Sequence, residues 1–175
     1  ANGELYAATG DEGRVYRLDP LNMTQQIVHV DYESKQISIT KGSVNGKDYI
    51  FVGGGSNATI KRSLLPDSAF VHSFKTISAP VYSLKNINSK VNAAIGNTLY
   101  VLDNVWTSKY THSQTIRDMS IGPSGTTWFI SDGYIYKIED TTIIRKVYLK
   151  LIDRAGNETK LYTDSNQTIL DPNLY

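Results

Sequence analysis

The sequence predicts an all-β protein, and three observations support that prediction. No segment carries apolar residues at helical spacing over three turns, whereas apolar and polar residues alternate with a period of two along most of the chain. The 175 residues include 12 Tyr and 2 Trp but only 4 Phe, and Tyr favours the half-exposed surface of a pleated sheet. The third observation is an internal repeat of about 40 residues.

The repeat is clearest in four short segments that read as equivalent strands. They are residues 15–19, 59–63, 99–103 and 135–139. Their last residues are 44, 40 and 36 positions apart. Each segment follows a glycine-containing turn and an earlier strand, and the three later units also have a leading strand at 36–40, 81–87 and 116–121. Four antiparallel strands in about 40 residues match a propeller blade, so we expect about four β-propeller-like blades, the first without its leading strand.

The repeat ends near residue 147, which divides the chain into predicted blades at 1–147 and a C-terminal segment at 148–175. Residues 147–162 read as a long strand, a tight turn at 155–157 and a second strand. Because a lone hairpin buries too little surface to be stable, we expect these strands to pack on the blades, to pair with another chain or to complete a module whose other half lies elsewhere. The leading hypothesis is pairing with another chain. The predicted assembly residues are Val147, Leu149, Leu151 and Leu161.

Residues 119–138, which read MSIGPSGTTWFISDGYIYKI, resemble a blade of the β-propeller repeat family that includes streptogramin lyase-like and sensor-type propellers. Residues 5–20 are similar to the same unit. The resemblance covers about residues 4–147 and implies the propeller architecture. It implies no particular activity, because propellers include enzymes, lectins and inert scaffolds.

Residues 147–157, which read VYLKLIDRAGN, resemble the penultimate strand and turn of bacterial Ig-like modules from surface and secreted proteins. Residues 164–172 are similar to the closing strand of such modules. The earlier strands of an Ig-like module have no counterpart in the sequence. The resemblance therefore implies a C-terminal Ig-like β-hairpin.

The composition excludes several classes of function. The chain has 18 Lys and Arg against 17 Asp and Glu, and this net charge of +1 is too small for nucleic acid to be the main partner. It has no Cys, which excludes disulfides, zinc–thiolate sites and thiol catalysis. It has no run of 18 apolar residues, so we expect no membrane span. Because the first residue is Ala1, we expect a processed product or a piece of a longer polypeptide.

We expect neither a metal nor another cofactor. His29, His72 and His112 are 43 and 40 residues apart, which is the repeat period. Equivalent outer strands of different blades radiate apart, so these residues are predicted to have a surface role and not to converge on zinc. The turns at 11–13 and 132–133 lack the series of oxygen donors that a calcium loop needs.

No nucleophile elbow or other catalytic constellation is evident, so we expect a protein without catalytic activity. Asp19, Asp103 and Glu139 end equivalent strands, and their repetition favours a structural role in turns. Only Arg117 and Asp118 lie where a propeller enzyme would need a reactive group, at the axial end of a leading strand. They are the candidate catalytic residues if the protein is a lyase or hydrolase.

Exposed aromatic residues give the main functional hint. Trp106 is predicted to lie in a polar loop with Asn104 and Tyr110, and such a group suits sugar stacking or protein contact. These three are the predicted ligand-binding residues. Trp128 lies between Thr127 and Phe129 in a predicted strand, and the alternation rule predicts that it packs in the core or between blades.

These features favour a non-catalytic extracellular recognition or structural module of a bacterial surface protein, an extracellular filament or a phage tail. We expect it at the cell surface or on a virion. Its expected partner is another protein or a second copy, bound through the C-terminal strands, with a cell-surface glycan as a further candidate. The alternatives are a propeller enzyme and the ectodomain of a sensor, which would require a membrane segment downstream.

Overall fold

The computed structural model describes residues 3–10, 12–31, 35–55, 59–65, 69–75, 79–122, 126–140 and 143–147. They form the strands β1 (Leu5–Thr9), β2 (Arg14–Asp19), β3 (Thr24–Val30), β4 (Gln36–Val44), β5 (Lys47–Gly54), β6 (Thr59–Leu64), β7 (Val71–Lys75), β8 (Val81–Ile87), β9 (Lys90–Ile95), β10 (Thr98–Asp103), β11 (Val105–Thr111), β12 (Ile116–Ile121), β13 (Thr127–Ser131), β14 (Tyr134–Asp140) and β15 (Ile143–Val147). The all-β prediction is confirmed. A search of these same residues finds no helix that could span a membrane.

The strands form four antiparallel sheets in chain order. The first sheet is β1-β2-β3, the second β4-β5-β6-β7, the third β8-β9-β10-β11 and the fourth β12-β13-β14-β15. Among the described residues, the first sheet has three strands, with no counterpart of the leading strand that β4, β8 and β12 provide in the others. The repeat predicts this difference, because its first unit has no leading strand.

Consecutive sheets pack against one another through apolar side chains. Strand β1 lies beside β4, β4 beside β8, and β8 beside β12. Val15 and Val52 belong to the core between the first two sheets, Phe51 and Val81 to the next, and Phe129 to the core between the third and fourth. Within the described ranges the sheets do not close into a ring or barrel. The structure therefore shows four sheets packed in sequence, which is coarser than the predicted propeller.

Bulges occur at equivalent places in these sheets. The leading strands carry the extra residue at Ile37 in β4, Tyr82 in β8 and Arg117 in β12. The last two strands shift register in each of the first three sheets, with Val28, Ser73 and Lys109 as the extra residues. Because a bulge fixes which residue lies opposite which, these positions define the structural register of the repeat.

The bulges correct the repeat alignment by one residue in the second sheet. Ile60, and not Thr59, is equivalent to Leu99 of the third sheet. Both follow the same pairing pattern, since Ile60 lies opposite Gly53 and Leu99 lies opposite Ala94. A shift of one residue moves every side chain to the other face of a strand. Hydrophobicity alone did not distinguish the two alignments, because residues 59–63 have only one apolar side chain.

The contacts of Asp19, at the end of β2, agree with the turn role expected for it. Its carboxylate accepts hydrogen bonds from the backbone N–H of Leu21 at 2.9 Å and the side-chain amide of Asn22 at 2.7 Å. These bonds, the first above all, lower the pKa of Asp19. Asp103 instead accepts a hydrogen bond from Lys90 Nζ at 2.7 Å on the surface. The side chain of Glu139 lies outside the described part.

Candidate functional site

The leading-strand bulges place three side chains at equivalent positions on neighbouring strands. We call Ile37, Tyr82 and Arg117 the bulge row. Ile37 and Arg117 are exposed and Tyr82 is half-buried. Arg117 Cζ lies 4.8 Å from the centre of the Tyr82 ring, within the range of a cation–π contact. The contact joins the third sheet to the fourth at the exposed start of their leading strands.

Asp118, which follows Arg117 in the chain, is held by other groups. Its Oδ1 accepts hydrogen bonds from Ser83 Oγ at 2.6 Å and from the backbone N–H of Met119 at 2.8 Å. Lys85 Nζ lies 4.0 Å from the same oxygen. Asp118 therefore ties β12 to β8. Among the described side chains, no carboxylate pairs with Arg117, so the two candidate catalytic residues are neighbours in sequence that have separate partners.

Trp106 lies in strand β11, so its predicted placement in a loop is wrong. Its indole Nε1 donates a hydrogen bond to Ser73 Oγ at 3.1 Å. Its ring centre lies 6.5 Å from that of Phe51 and 5.8 Å from that of Phe74, both in the second sheet. The half-buried indole thus packs between the second and third sheets.

The three predicted ligand-binding residues do not form a single cluster. Asn104 alone connects β10 to β11, with a φ of 67°, so the strand resumes before Trp106. The bulge at Lys109 then turns Tyr110 to the opposite face of the third sheet from Trp106. A plain alternation of side chains would have put both rings on one face, since they are four residues apart. Ligand binding by these residues stays a prediction.

Tyr110 and His112 lie at the packing interface between the third and fourth sheets. We call such an interface between two consecutive sheets a joint. The Tyr110 hydroxyl and His112 Nδ1 are 2.9 Å apart. The His112 ring centre is 5.3 Å from that of Phe129 and 4.6 Å from that of Tyr136. Burial raises the pKa of Tyr110 and lowers the pKa of His112, an effect that Asp132 opposes at His112. The surface role predicted for His112 is therefore wrong.

His29 is similarly placed at the joint between the first two sheets, and its predicted surface role is also wrong. Its ring stacks on Phe70 with 4.7 Å between centres, and burial, aided by Lys61, lowers its pKa. Asp31 opposes this shift and pairs with Lys61 across 2.5 Å, both side chains being largely buried. His72, in contrast, is exposed. No metal-binding group of three or more His, Asp or Glu residues occurs among the residues described.

The predicted assembly residues are only partly described. Val147 ends β15 and lies opposite Ile135 in the fourth sheet. Leu149, Leu151 and Leu161 lie outside the described residues, as does the predicted Ig-like hairpin. Assembly through the C-terminal strands stays a prediction.

Sequence reasoning considered Arg117 and missed its contact with Tyr82. A signal was available, because alignment of the leading strands of three units puts Ile37, Tyr82 and Arg117 at the same position. Trp128 gave a more ambiguous signal. It is half-buried on the face of the fourth sheet that points away from the third, with Lys137 Nζ 5.7 Å from its ring centre. The neighbouring Phe129 is the residue that enters the core.

Comparison with known proteins gives similarity in fold only. No family model and no curated protein matches the sequence. A crystal structure described as the extracellular domain of a hybrid two-component system from B. thetaiotaomicron matches 75% of this chain, with a TM-score of 0.60 and 15% identity. A second structure of an extracellular domain from the same organism, described as part of a one-component system, also matches 75% of the chain, with a TM-score of 0.59 and 14% identity.

The chain spans about a fifth of the length of these two structures, since 19% of each is covered. At this level of identity the similarity shows a shared arrangement of β-sheets. The structural neighbours are extracellular domains.

Proposed function

We propose that this chain is part of a non-catalytic extracellular recognition domain of the sensor-ectodomain kind, in which its four sheets are consecutive blades of a larger propeller. The sheet order, the incomplete first sheet and the uncovered faces at both ends support the proposal. The structural neighbours support the extracellular and sensory part of it.

The observation that carries the proposal is the outer face of the first sheet, which faces away from the second. By the pairing of their strands, four of its residues are equivalent to four residues of the third sheet. The first-sheet residues are Leu5, Ala7, Tyr16 and Leu18, and their equivalents are Val91, Ala93, Tyr100 and Leu102. The two sets have nearly the same side chains.

The third-sheet set packs against the second sheet. Val91 is only 1% exposed and Ala93 is fully buried there. The equivalent Leu5 is 56% exposed, because no described sheet precedes the first one. The first sheet thus has the apolar outer face of an internal sheet, but no described sheet packs on that face. We assign that neighbour as a preceding β-sheet of the same domain, since it would continue the packing seen at the other joints.

The fourth sheet supports the same view from the other end. Ile130 and Ile135 lie opposite each other in positions equivalent to Ala94 and Leu99, which pack on the following sheet. Ile130 is exposed. A further sheet would cover this face as well. The share of the structural neighbours that the chain spans leaves room for such sheets.

Surface labelling in intact cells tests the location. An epitope inserted into the exposed turn at Asn45 and Gly46, in the full-length polypeptide, should be accessible to antibody and to added protease before the cells are permeabilised. The turn carries left-handed residues and no buried side chain, so it tolerates insertion. An epitope that becomes accessible only after permeabilisation would overturn the extracellular assignment.

Sedimentation of the 175-residue chain tests whether the outer faces of the first and fourth sheets are packing surfaces. Its two open faces should drive association that increases with concentration, and Leu5→Lys should weaken it, because burying a lysine charge is costly. Leu21→Lys is the matched control, since Leu21 is 90% exposed in the β2–β3 turn and lies outside the outer face. A chain that stays monomeric throughout, or equal effects of the two variants, would contradict the proposed packing.

A further inference from the structure

The bulge row offers a binding site that the proposed packing of sheets does not use. We propose that Arg117, held against Tyr82, binds a carboxylate group of an extracellular ligand. This inference deepens the proposed recognition role and rests on it. The geometry of four described sheets supports it in three steps.

The first step is the placement of the row. Strands β4, β8 and β12 lie side by side, and each has its bulge one residue after its first described pairing. A bulge turns a side chain out of the regular alternation, and such positions are often found beside binding sites. The row therefore places one side chain from each of three sheets near the start of its leading strand.

The second step compares the bulge row with a second set of positions, which are equivalent to one another and pack against the next sheet. Ala8, Gly53 and Ala94 are equivalent and all small, as the close packing of the next sheet requires. A Cβ at Gly53 would come within 2.6 Å of Val81 Cγ1. The bulge row instead holds an aliphatic, an aromatic and a cationic side chain. Packing imposes no common size there, which leaves these positions available for recognition.

The third step is the chemistry of Arg117. Arg117 Cζ lies over the Tyr82 ring, and this contact holds the guanidinium beside the ring while its N–H donors extend along the plane of the group. The nearest acidic neighbour in sequence, Asp118, is engaged by Ser83 and approached by Lys85. An exposed guanidinium that is held beside a ring and has no described carboxylate partner is suited to bidentate binding of a carboxylate.

The test is an NMR titration of the 175-residue chain with three probes. Trigalacturonate and glutarate both carry carboxylates and distinguish a sugar source from a simple dicarboxylate, while the methyl ester of trigalacturonate is the uncharged control. We expect at least one carboxylate to shift the amide signals of Tyr82 and Arg117 at millimolar concentration, and the ester to leave them unchanged. Arg117→Gln should weaken that binding about tenfold or more, as expected for the loss of a charge-assisted pair.

Lys90→Gln is the matched variant, because it removes one positive charge from the opposite end of the third sheet. It should bind as the unmodified chain does, and Arg117→Lys should recover only part of the affinity lost in Arg117→Gln. Absence of carboxylate binding at about 10 mM, or equal weakening by Lys90→Gln and Arg117→Gln, would overturn the inference. Because the titration measures binding and not location or sheet packing, its failure would leave the surface-labelling and sedimentation tests unaffected.

Discussion

The first and third sheets contain the same pair of residues in two different environments. Ala7 lies opposite Tyr16 in the first sheet, and Ala93 lies opposite Tyr100 in the third. Ala93 is fully buried, whereas Ala7 is partly exposed. The Tyr100 ring meets Phe74 of the second sheet at 5.2 Å between centres, a contact that requires a preceding sheet.

The difference lies in the neighbours and not in the strands themselves. The hairpin forms in both sheets with the same register and the same outer-strand bulge, although the turn from Thr9 to Arg14 is longer than the turn from Ile95 to Thr98. Burial depends on the leading strand and on the preceding sheet, which the third sheet has and which the described residues do not provide for the first. Equal local patterns can therefore contribute very different amounts to stability.

The largest expected effect sharpens this comparison at the joint between the second and third sheets. Phe51 is fully buried and touches Trp106, so Phe51→Ala should lower the free energy of unfolding by about 3–5 kcal/mol, through lost burial and a residual cavity. Ile27, on the outer face of the first sheet, is 45% exposed, and Ile27→Ala should cost about 1 kcal/mol or less. Urea denaturation followed by circular dichroism measures both.

That prediction depends on the two residues belonging to differently covered faces. Similar losses for Phe51→Ala and Ile27→Ala would mean that the first sheet is covered in solution. In that case the comparison between an open and a closed sheet would break down.

A smaller effect is expected at the matched alanines. Ala93→Val adds two methyl groups where the second and third sheets meet, and this overpacking should cost about 1–3 kcal/mol. Ala7→Val places the same groups on the uncovered face and should change stability by about 0.5 kcal/mol or less, because there is space and valine suits a strand. Thermal unfolding of the two variants gives the difference directly.

In the full-length polypeptide the same pair tests the proposed preceding sheet. There, Ala7→Val should become as costly as Ala93→Val, because the outer face of the first sheet would be covered. An Ala7 variant that remains neutral in the full-length protein would contradict that neighbour.

Much of the fold could be predicted from the sequence because its signals are local. Strand alternation, glycine turns and the repeat period identified the strands, the sheet boundaries and the missing leading strand. The errors arose at bulges and at contacts between sheets. The bulge at Lys109 separated Trp106 from Tyr110, and the register of the second sheet was misplaced by one residue at Thr59. A bulge depends on pairing with a neighbouring strand, so composition does not reveal it.

The candidate site shows the same division. The sequence directed attention to Arg117 because of its position at the start of a leading strand. The partner Tyr82 is 35 residues away, and only the packing of β8 beside β12 brings the two together. The roles of His29 and His112 were misjudged for a related reason. Their spacing predicted equivalent, outward-facing positions on outer strands, whereas His29 is equivalent to Tyr110 and both histidine rings lie where sheets pack together.

The smallest effect concerns pH and compares His112, in the joint between the third and fourth sheets, with exposed His72. Burial lowers the pKa of His112 below its ordinary value of 6.5 in the folded chain, so the unfolded chain takes up this proton first as the pH falls. The stabilisation from neutral His112 is therefore complete above pH 6.5 and is lost as the pH falls below it. Urea midpoints between about pH 7.5 and pH 5 measure the slope.

His112→Asn should flatten this dependence, because its side chain does not titrate, and the remaining slope should come in part from His29, whose pKa is lowered in the same direction. His72→Asn is the control and should keep the slope of the unmodified chain. An undiminished slope in His112→Asn would mean that the joint does not hold the imidazole neutral. The contrast drawn between closed and open parts of the molecule would then fail at its most sensitive point, since a joint that admits a charged ring is not closed to water.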